Sequence, residues 1–323
     1  MDTLKEKVKQ MVKADLMPFL GRKWTNRDKY MAGLLFILHM LCIIAPFQFN
    51  WNAFWVALAL HIISCFGINI SYHRNLSHRS FRLSKWLEYL FAYCGVLAFQ
   101  GDPIDWVSTH RHHHQFVDTE KDPHSPIQGF WFSHMTWLLD SNVLTKKVCP
   151  EYFIDFKDTE RTIFSLVLKY GRPKNVGDLE NQTFYRFLGK TYFLHQIALA
   201  VLLYVVGGIP FLIWGMIVRT IVLLHLTFMV NSICHTWGNQ PWNTGDLSRN
   251  TWWLSLFTFG EGWHNNHHAF EYSARHGLEW WQIDFGWYII LFLQAIGLAT
   301  DVKVPSQSHK QRLGLDHTKR KGL

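Results

Sequence analysis

Residues 31–73, MAGLLFILHMLCIIAPFQFNWNAFWVALALHIISCFGINISYH, decide the architecture. No Asp, Glu, Lys or Arg occurs in these 43 positions. As a single α-helix the stretch would run roughly 65 Å against about 30 Å of bilayer hydrocarbon, so it has to cross twice. The break falls at Pro46, where Gln48, Asn50 and Asn52 surround an interfacial Trp51. Helices are expected near 31–47 and 52–71. A second charge-poor block, Thr191–Gly245, contains only Arg219 and is interrupted by Gly207, Gly208 and Pro210, which predicts spans over 190–207 and 210–232. Two buried hairpins of a soluble protein are the alternative, and the long uncharged run argues against it. Arg219 is costly in lipid and is expected to face the bundle interior or a polar cavity. Leu90–Gly101, Trp252–Gly260 and Phe285–Thr300 are too short or too polar for spans and fit helices at the interface or in a cytosolic cap.

Eight basic residues (Lys5, Lys7, Lys9, Lys13, Arg22, Lys23, Arg27, Lys29) precede the first span and neither short turn carries one. That bias puts the N-terminus in the cytosol, and four spans return the C-terminus there. The expected fold is an all-α integral membrane protein of one domain. It comprises a basic segment 1–30, hairpin 31–71, cap segment 72–189, hairpin 190–232, and cap and basic tail 233–323. With 323 residues, 49% of them apolar and 17% charged, the chain is neither disordered nor collagenous. Its net charge of +8 favours anionic lipid surfaces or acidic partners and does not by itself indicate nucleic acid; none is expected. Five scattered cysteines (Cys42, Cys65, Cys94, Cys149, Cys234) without a CxxC pair argue against a secreted disulfide framework. The N-terminus, with acids among its lysines, does not read as a signal or plastid transit peptide. The basic Lys319-Arg320-Lys321 favours the endoplasmic reticulum over the plastid envelope.

Nineteen histidines and 16 tryptophans need a chemical explanation. Three clusters stand out: His73/His78, His110/His113/His114 and His264/His267/His268. The last two share an i, i+3, i+4 spacing that stacks imidazoles on one helix face within reach of a common metal site, with His112 pointing away. All lie beyond the span ends on one side of the membrane. A lone pair such as His73/His78 is ordinarily a surface feature, and a His-rich tract can bind stray metal. Two HxxHH faces beside a third pair read instead as a metal site. Eight or more imidazoles exceed one ion's needs, which gives two ions of iron, copper or zinc, iron once oxygen chemistry is involved. Asp102, Asp105, Asp118, Asp122 and Glu261 are candidates to accept the second ring N–H. Gly260-Glu-Gly262 lacks the third glycine and the strand of a dinucleotide site, so electrons must come from another protein.

From about Lys29 to Pro305 the chain resembles the membrane fatty acid desaturases of the Δ9 type, and among them the plant acyl-lipid desaturases. The matching words are YHRNLSHRSF, GDPIDWVSTHRHHHQF, DPHSPIQGFWFSH, NSICHTWG, EGWHNNHHAFEYSAR and GLEWWQID. The resemblance implies a di-iron centre held by His73, His78, His110, His113, His114, His235, His264, His267 and His268, with Asn231 holding a metal-bound water. It implies O₂ as co-substrate, cytochrome b5 and its reductase as electron source, and insertion of a cis double bond into a saturated acyl chain of a membrane lipid or acyl-CoA. A kinked tunnel is implied too, with Gln100, Trp106 and Thr227 at the bend and His61 and Cys65 near the closed end. His61 departs from the family, where tyrosine is common. Ser108-Thr109 and Asp140-Ser141 stand where the animal acyl-CoA enzymes carry Arg-Asp and Arg-Lys. Losing those cations removes partners for the phosphates of coenzyme A and favours a glycerolipid-bound substrate. The connector 146–177 looks longer than in plant relatives. His39, His195 and His225 read as intramembrane polar contacts. The rival readings are a membrane di-iron fatty acyl hydroxylase and a histidine-rich metal transporter; the transporter predicts histidines along the spans, whereas the clusters lie beyond their ends.

Overall fold

The computed structural model describes residues 21–141 and 175–314. The basic residues before position 21, Cys149, most of the 146–177 connector and Lys319-Arg320-Lys321 lie outside these. The described chain is mostly helical, with a single pair of two-residue strands, β1 (Arg82–Leu83) and β2 (Ala299–Thr300), antiparallel to each other.

Helix α1 (Asn26–Cys42) starts five residues before the expected position because Thr25 and Asp28 form a reciprocal capping box. It ends at Cys42, and the turn at Pro46 is a 3₁₀ segment, Ala45–Gln48. Helix α2 (Trp51–Phe66) is capped by the Asn50 side chain on Ala53 N and does not stop at 71. It continues as a π-helix, Gly67–Ser77, giving an apolar helix of 27 residues, long enough to cross a membrane. The helix α3 (Lys85–Val96) crosses it backbone to backbone: a Cβ at Gly67 would overlap Gly95 N. Helix α4 (Pro103–Phe116) has Asp102 as N-cap and proline at its first position. The short α5 (Phe130–His134) and the one-turn α6 (Gly177–Glu180) flank the undescribed stretch.

The expected spans 190–207 and 210–232 are two helical arms that meet at a non-helical Gly208 with no loop between them. Helix α7 (Thr183–Phe211) runs through a π segment, Leu212–Val218, into α8 (Arg219–Ser232) and a 3₁₀ end, Ile233–His235: 53 residues in all. At 1.5 Å per residue this is about 80 Å, over twice a bilayer's apolar thickness. Gly208, with φ of 66°, supplies the kink, and Pro210 follows it. The Leu203 side chain lies against Gly215, twelve residues on, so the two arms run side by side. Arg219 is buried and its guanidinium donates to Gly215 O, Leu97 O and Ser64 Oγ, facing the bundle interior as expected. The remaining helices α9 (Trp252–Phe257), α10 (His264–Ala269), α11 (Phe285–Ala295) and α12 (Gln307–Leu313) cover the end where α2, α4 and α8 finish.

Candidate metal centre

The first two imidazoles come from the π-helix. Residues five apart on an α-helix point roughly 140° away from each other. In the wider π turn, closed by His78 N donating to His73 O, the two rings share a side with centroids 5.0 Å apart. Such turns are rare and recur at functional sites. His110, His113 and His114 stand on α4, His235 ends α8, and His264, His267 and His268 stand on α10. A six-residue helix cannot hold itself together, and α10 is tied down by its two asparagines. Asn266 accepts from Trp242 Nε1 (2.8 Å) and Asn250 Nδ2 (2.7 Å) and donates to His276 O (2.7 Å), while Asn265 accepts from Trp242 N (2.9 Å).

The nine rings sort into two sets, each with its ligating atoms within 4.8 Å of one another. One contains His73, His78, His110, His114 and His267; the other His113, His235, His264 and His268. The expectation that each HxxHH face serves one common site therefore needs correction. At about 100° per residue, positions i and i+4 lie roughly 40° apart, whereas i+3 falls some 60° to the other side. Hence α4 gives His110 and His114 to the first set and His113 to the second, and α10 gives His264 and His268 to the second and His267 to the first. Each cluster clasps both sets.

Carboxylates fix the tautomers. His73 Nδ1 lies 2.6 Å from Glu261, His113 Nδ1 2.9 Å from Asp122, His114 Nδ1 3.2 Å from Glu271, His235 Nδ1 3.0 Å from Asp118 and His268 Nδ1 2.9 Å from Asp246. A carboxylate only accepts, so each Nδ1–H donates outward and each Nε2 lone pair turns inward. Asp102 and Asp105 do not take this role: Asp102 caps α4 and Asp105 lines a cavity with Arg27. Sequence reasoning misses Asp246 and Glu271, although Asp246 is the first acid after Glu180 and so had a signal. It also misses the buried His124 and His276, whose rings lie 4.4 Å from His113 and 4.6 Å from His267. His112 turns away as expected, to Lys121 O.

The inward lone pairs test whether cations fit. His267 Nε2 is 3.1 Å from His73 Nε2 and 2.9 Å from His114 Nε2; His264 Nε2 is 2.9 Å from His235 Nε2 and 3.1 Å from His268 Nε2. In both triples the outer rings carry lone pairs and the middle ring has at most one N–H to offer. One contact in each is then lone pair against lone pair, which a bound divalent ion relieves. Burial, reinforced by the neighbouring imidazoles, holds His78, His110, His113, His264, His267 and His268 well below the ordinary histidine pKa. They are neutral, as metal ligands must be. Five and four ring nitrogens suit two ions of a borderline metal.

Beneath the rings lie two cavities that share Trp106, His110, His124, Thr227 and Asn231 as walls. The smaller also meets His73, His113, His264 and Cys65; the larger runs to Arg27 and Leu138. At their junction Gln100 Nε2 donates to Thr227 Oγ1 (2.8 Å) and Trp106 Nε1 lies 3.4 Å from Gln100 Oε1. Asn231 stands one turn before His235, facing both spaces. The expected Cys65 lines the smaller cavity, whereas His61, one turn away, lines neither.

The sequence profile of the fatty acid desaturase family matches residues 49–292. The chain is 57% identical over 293 residues to a palmitoyl-monogalactosyldiacylglycerol delta-7 desaturase, chloroplastic, of Arabidopsis thaliana, covering 90% of this chain and 73% of that one. It is 55% identical to an acyl-CoA C20 delta5-desaturase of Anemone leveillei (90% and 87% covered) and 53% identical to delta-9 acyl-lipid desaturase 1 of Arabidopsis thaliana (91% and 89%). The chain belongs to the fatty acid desaturase family and is an oxidoreductase of lipid metabolism.

Proposed function

We propose that the chain introduces a cis double bond, at Δ9 or a neighbouring position, into a saturated acyl chain carried on a membrane glycerolipid. The observation that carries this reading is the pair of histidine sets set against the junction of two largely apolar cavities. His73, His78, His110, His114 and His267 would hold one iron, and His113, His235, His264 and His268 the other, with Asn231 placed to hold water beside the four-histidine set. An unactivated methylene has no acidic proton for a side-chain base to take, and a bound pair of irons supplies the oxidising chemistry with O₂ that the reaction needs. The side chains do the rest. The Gln100–Thr227–Trp106 contacts hold the bend that stops an otherwise featureless chain from sliding, and the cavity walls keep bulk water from the reacting methylenes. His61, lining neither cavity, would act on chain length only through Cys65.

The glycerolipid substrate is supported at the two departures from the animal acyl-CoA pattern. Ser108 is buried and donates to Asn175 Oδ1, Ser141 N is bound by Asp28, and the cation beside Asp140, Arg22, is held by the carboxylates of Asp140 and Asp28. The relatives' names divide between acyl-lipid and acyl-CoA substrates. Four spans in two hairpins, α1 with α2 and α7 with α8, would carry a cap formed by 72–189 and 233–323 as one domain. Both termini would lie on the cytosolic side of the endoplasmic reticulum, with cytochrome b5 and its reductase supplying electrons. Expression in a desaturase-deficient yeast tests this: unsaturated glycerolipids are expected, and they should vanish with His113→Ala. A hydroxylated chain without an alkene would overturn desaturation, and a fluorescent fusion in plastid envelopes would overturn the location.

A further inference from the structure

Apart from the nine clustered rings, three more imidazoles form a continuous hydrogen-bonded chain across three helices. His39 on α1 meets His225 on α8 (Nε2 to Nε2, 2.9 Å), and His225 Nδ1 meets His134 Nε2 on α5 (3.0 Å). At the ends, His39 Nδ1 is 2.6 Å from Leu35 O and His134 Nδ1 is 3.0 Å from Ser232 Oγ. The polarity follows from the carbonyl. Leu35 O can only accept, so His39 Nδ1–H donates and His39 Nε2 accepts from His225 Nε2–H. With all three rings neutral, His225 Nδ1 then accepts from His134 Nε2–H, and His134 Nδ1 faces the Ser232 hydroxyl, which also donates to Phe228 O (2.9 Å). Both ring-to-ring links are satisfied in one direction.

This chain lies directly behind the wall of the larger cavity. Leu35, Leu224 and Phe228 line that cavity. Leu35 receives the His39 hydrogen bond, His225 follows Leu224, and the His134 ring packs edge-on against Phe228, 5.8 Å between centroids. Apolar side chains alone can slip past one another, whereas an imidazole in an apolar interior has few other partners, so the chain fixes α1 against α8 and α5. Relatives more than half identical to this chain carry names with Δ7, Δ5 and Δ9 positions, so bond position differs among chains this similar.

We propose that the His39–His225–His134 chain is a positioning device that sets the spacing of the acyl-cavity wall and thereby which pair of methylenes is presented for desaturation. The proposal rests on the desaturase reading above. The test compares double-bond position in lipids made by His39→Phe, His225→Phe, the double variant and His225→Gln, with iron content measured alongside. Each Phe variant should shift the ratio of positional isomers several-fold at unchanged iron content. The double should shift it no further than either single, because one broken link breaks the chain, and Gln, which keeps a donor and an acceptor, should return it toward wild type. An unchanged ratio in both Phe variants, or single shifts that multiply in the double, would overturn the proposal. Should His225→Phe not accumulate, His39→Phe at the less buried end decides alone. A wild type that makes no unsaturated lipid would sink the desaturase reading instead.

Discussion

Replacing Asp122 by asparagine should loosen the four-histidine set while leaving every imidazole in place. The carboxylate is fully buried and receives three N–H groups: His113 Nδ1 (2.9 Å) and Asp118 N (2.9 Å) on Oδ2, and His124 N (3.1 Å) on Oδ1. Asparagine has nearly the same shape but one accepting oxygen and an NH₂. Whichever way it sits, an amide N–H faces an N–H donor. Keeping the oxygen on His113 and Asp118 orphans His124 N; reversing it frees the His113 ring. Losing a charge-assisted bond and stranding a buried donor costs about 2–3 kcal/mol in the metal-free fold. Releasing the ring that presents His113 weakens metal binding ~10–100-fold. Denaturation of the metal-free protein and iron retention against a graded chelator measure the two effects separately. Wild-type iron retention beside a lowered midpoint would reduce Asp122 to fold support; no change in either would refute the hydrogen-bond geometry.

Arg219→Met strands Leu97 O and Ser64 Oγ inside the bundle, and a loss of about 2–3 kcal/mol should appear as a lower melting point in detergent; an unchanged melt would contradict their dependence on the guanidinium. Thr227→Val removes the acceptor of Gln100 Nε2 at the cavity junction, so the product profile should broaden while iron content stays constant, and an unaltered profile would remove this contact from substrate placement. Burial lowers His124 to about 3 and His134 to about 4. Both stay neutral in the fold while the unfolded chain takes up protons below about pH 6.5, so stability present at pH 7 declines as pH falls through that value toward the folded pKa. At pH 5 the loss reaches up to about 2 kcal/mol for each group. Unfolding of the metal-free protein at pH 7 and pH 5 checks it, and equal midpoints would contradict the neutral burial of these rings.

The long apolar runs made the helices legible in the sequence, and the kink falls among Gly207, Gly208 and Pro210, where composition placed it. Helix ends were less legible because they depend on local contacts: the Thr25–Asp28 capping box pulls α1 forward, and the backbone approach of Gly67 to Gly95 accompanies the π turn that extends α2. The HxxHH spacing announced convergence but not its division between two sets, since angular position on a helix says nothing of where the partner helix points. His235 was reached only through the family resemblance, being a single histidine at a helix end. Asp246, Glu271 and His276 stayed hidden because loops far along the chain bring them to the rings.

Nine imidazoles, in sets of five and four, are placed to cage two irons. Metal analysis of the full-length protein purified without oxygen tests it directly. Two irons per chain are expected, with iron lost on His113→Ala or His267→Ala; a single zinc and no iron would contradict the two-iron cage.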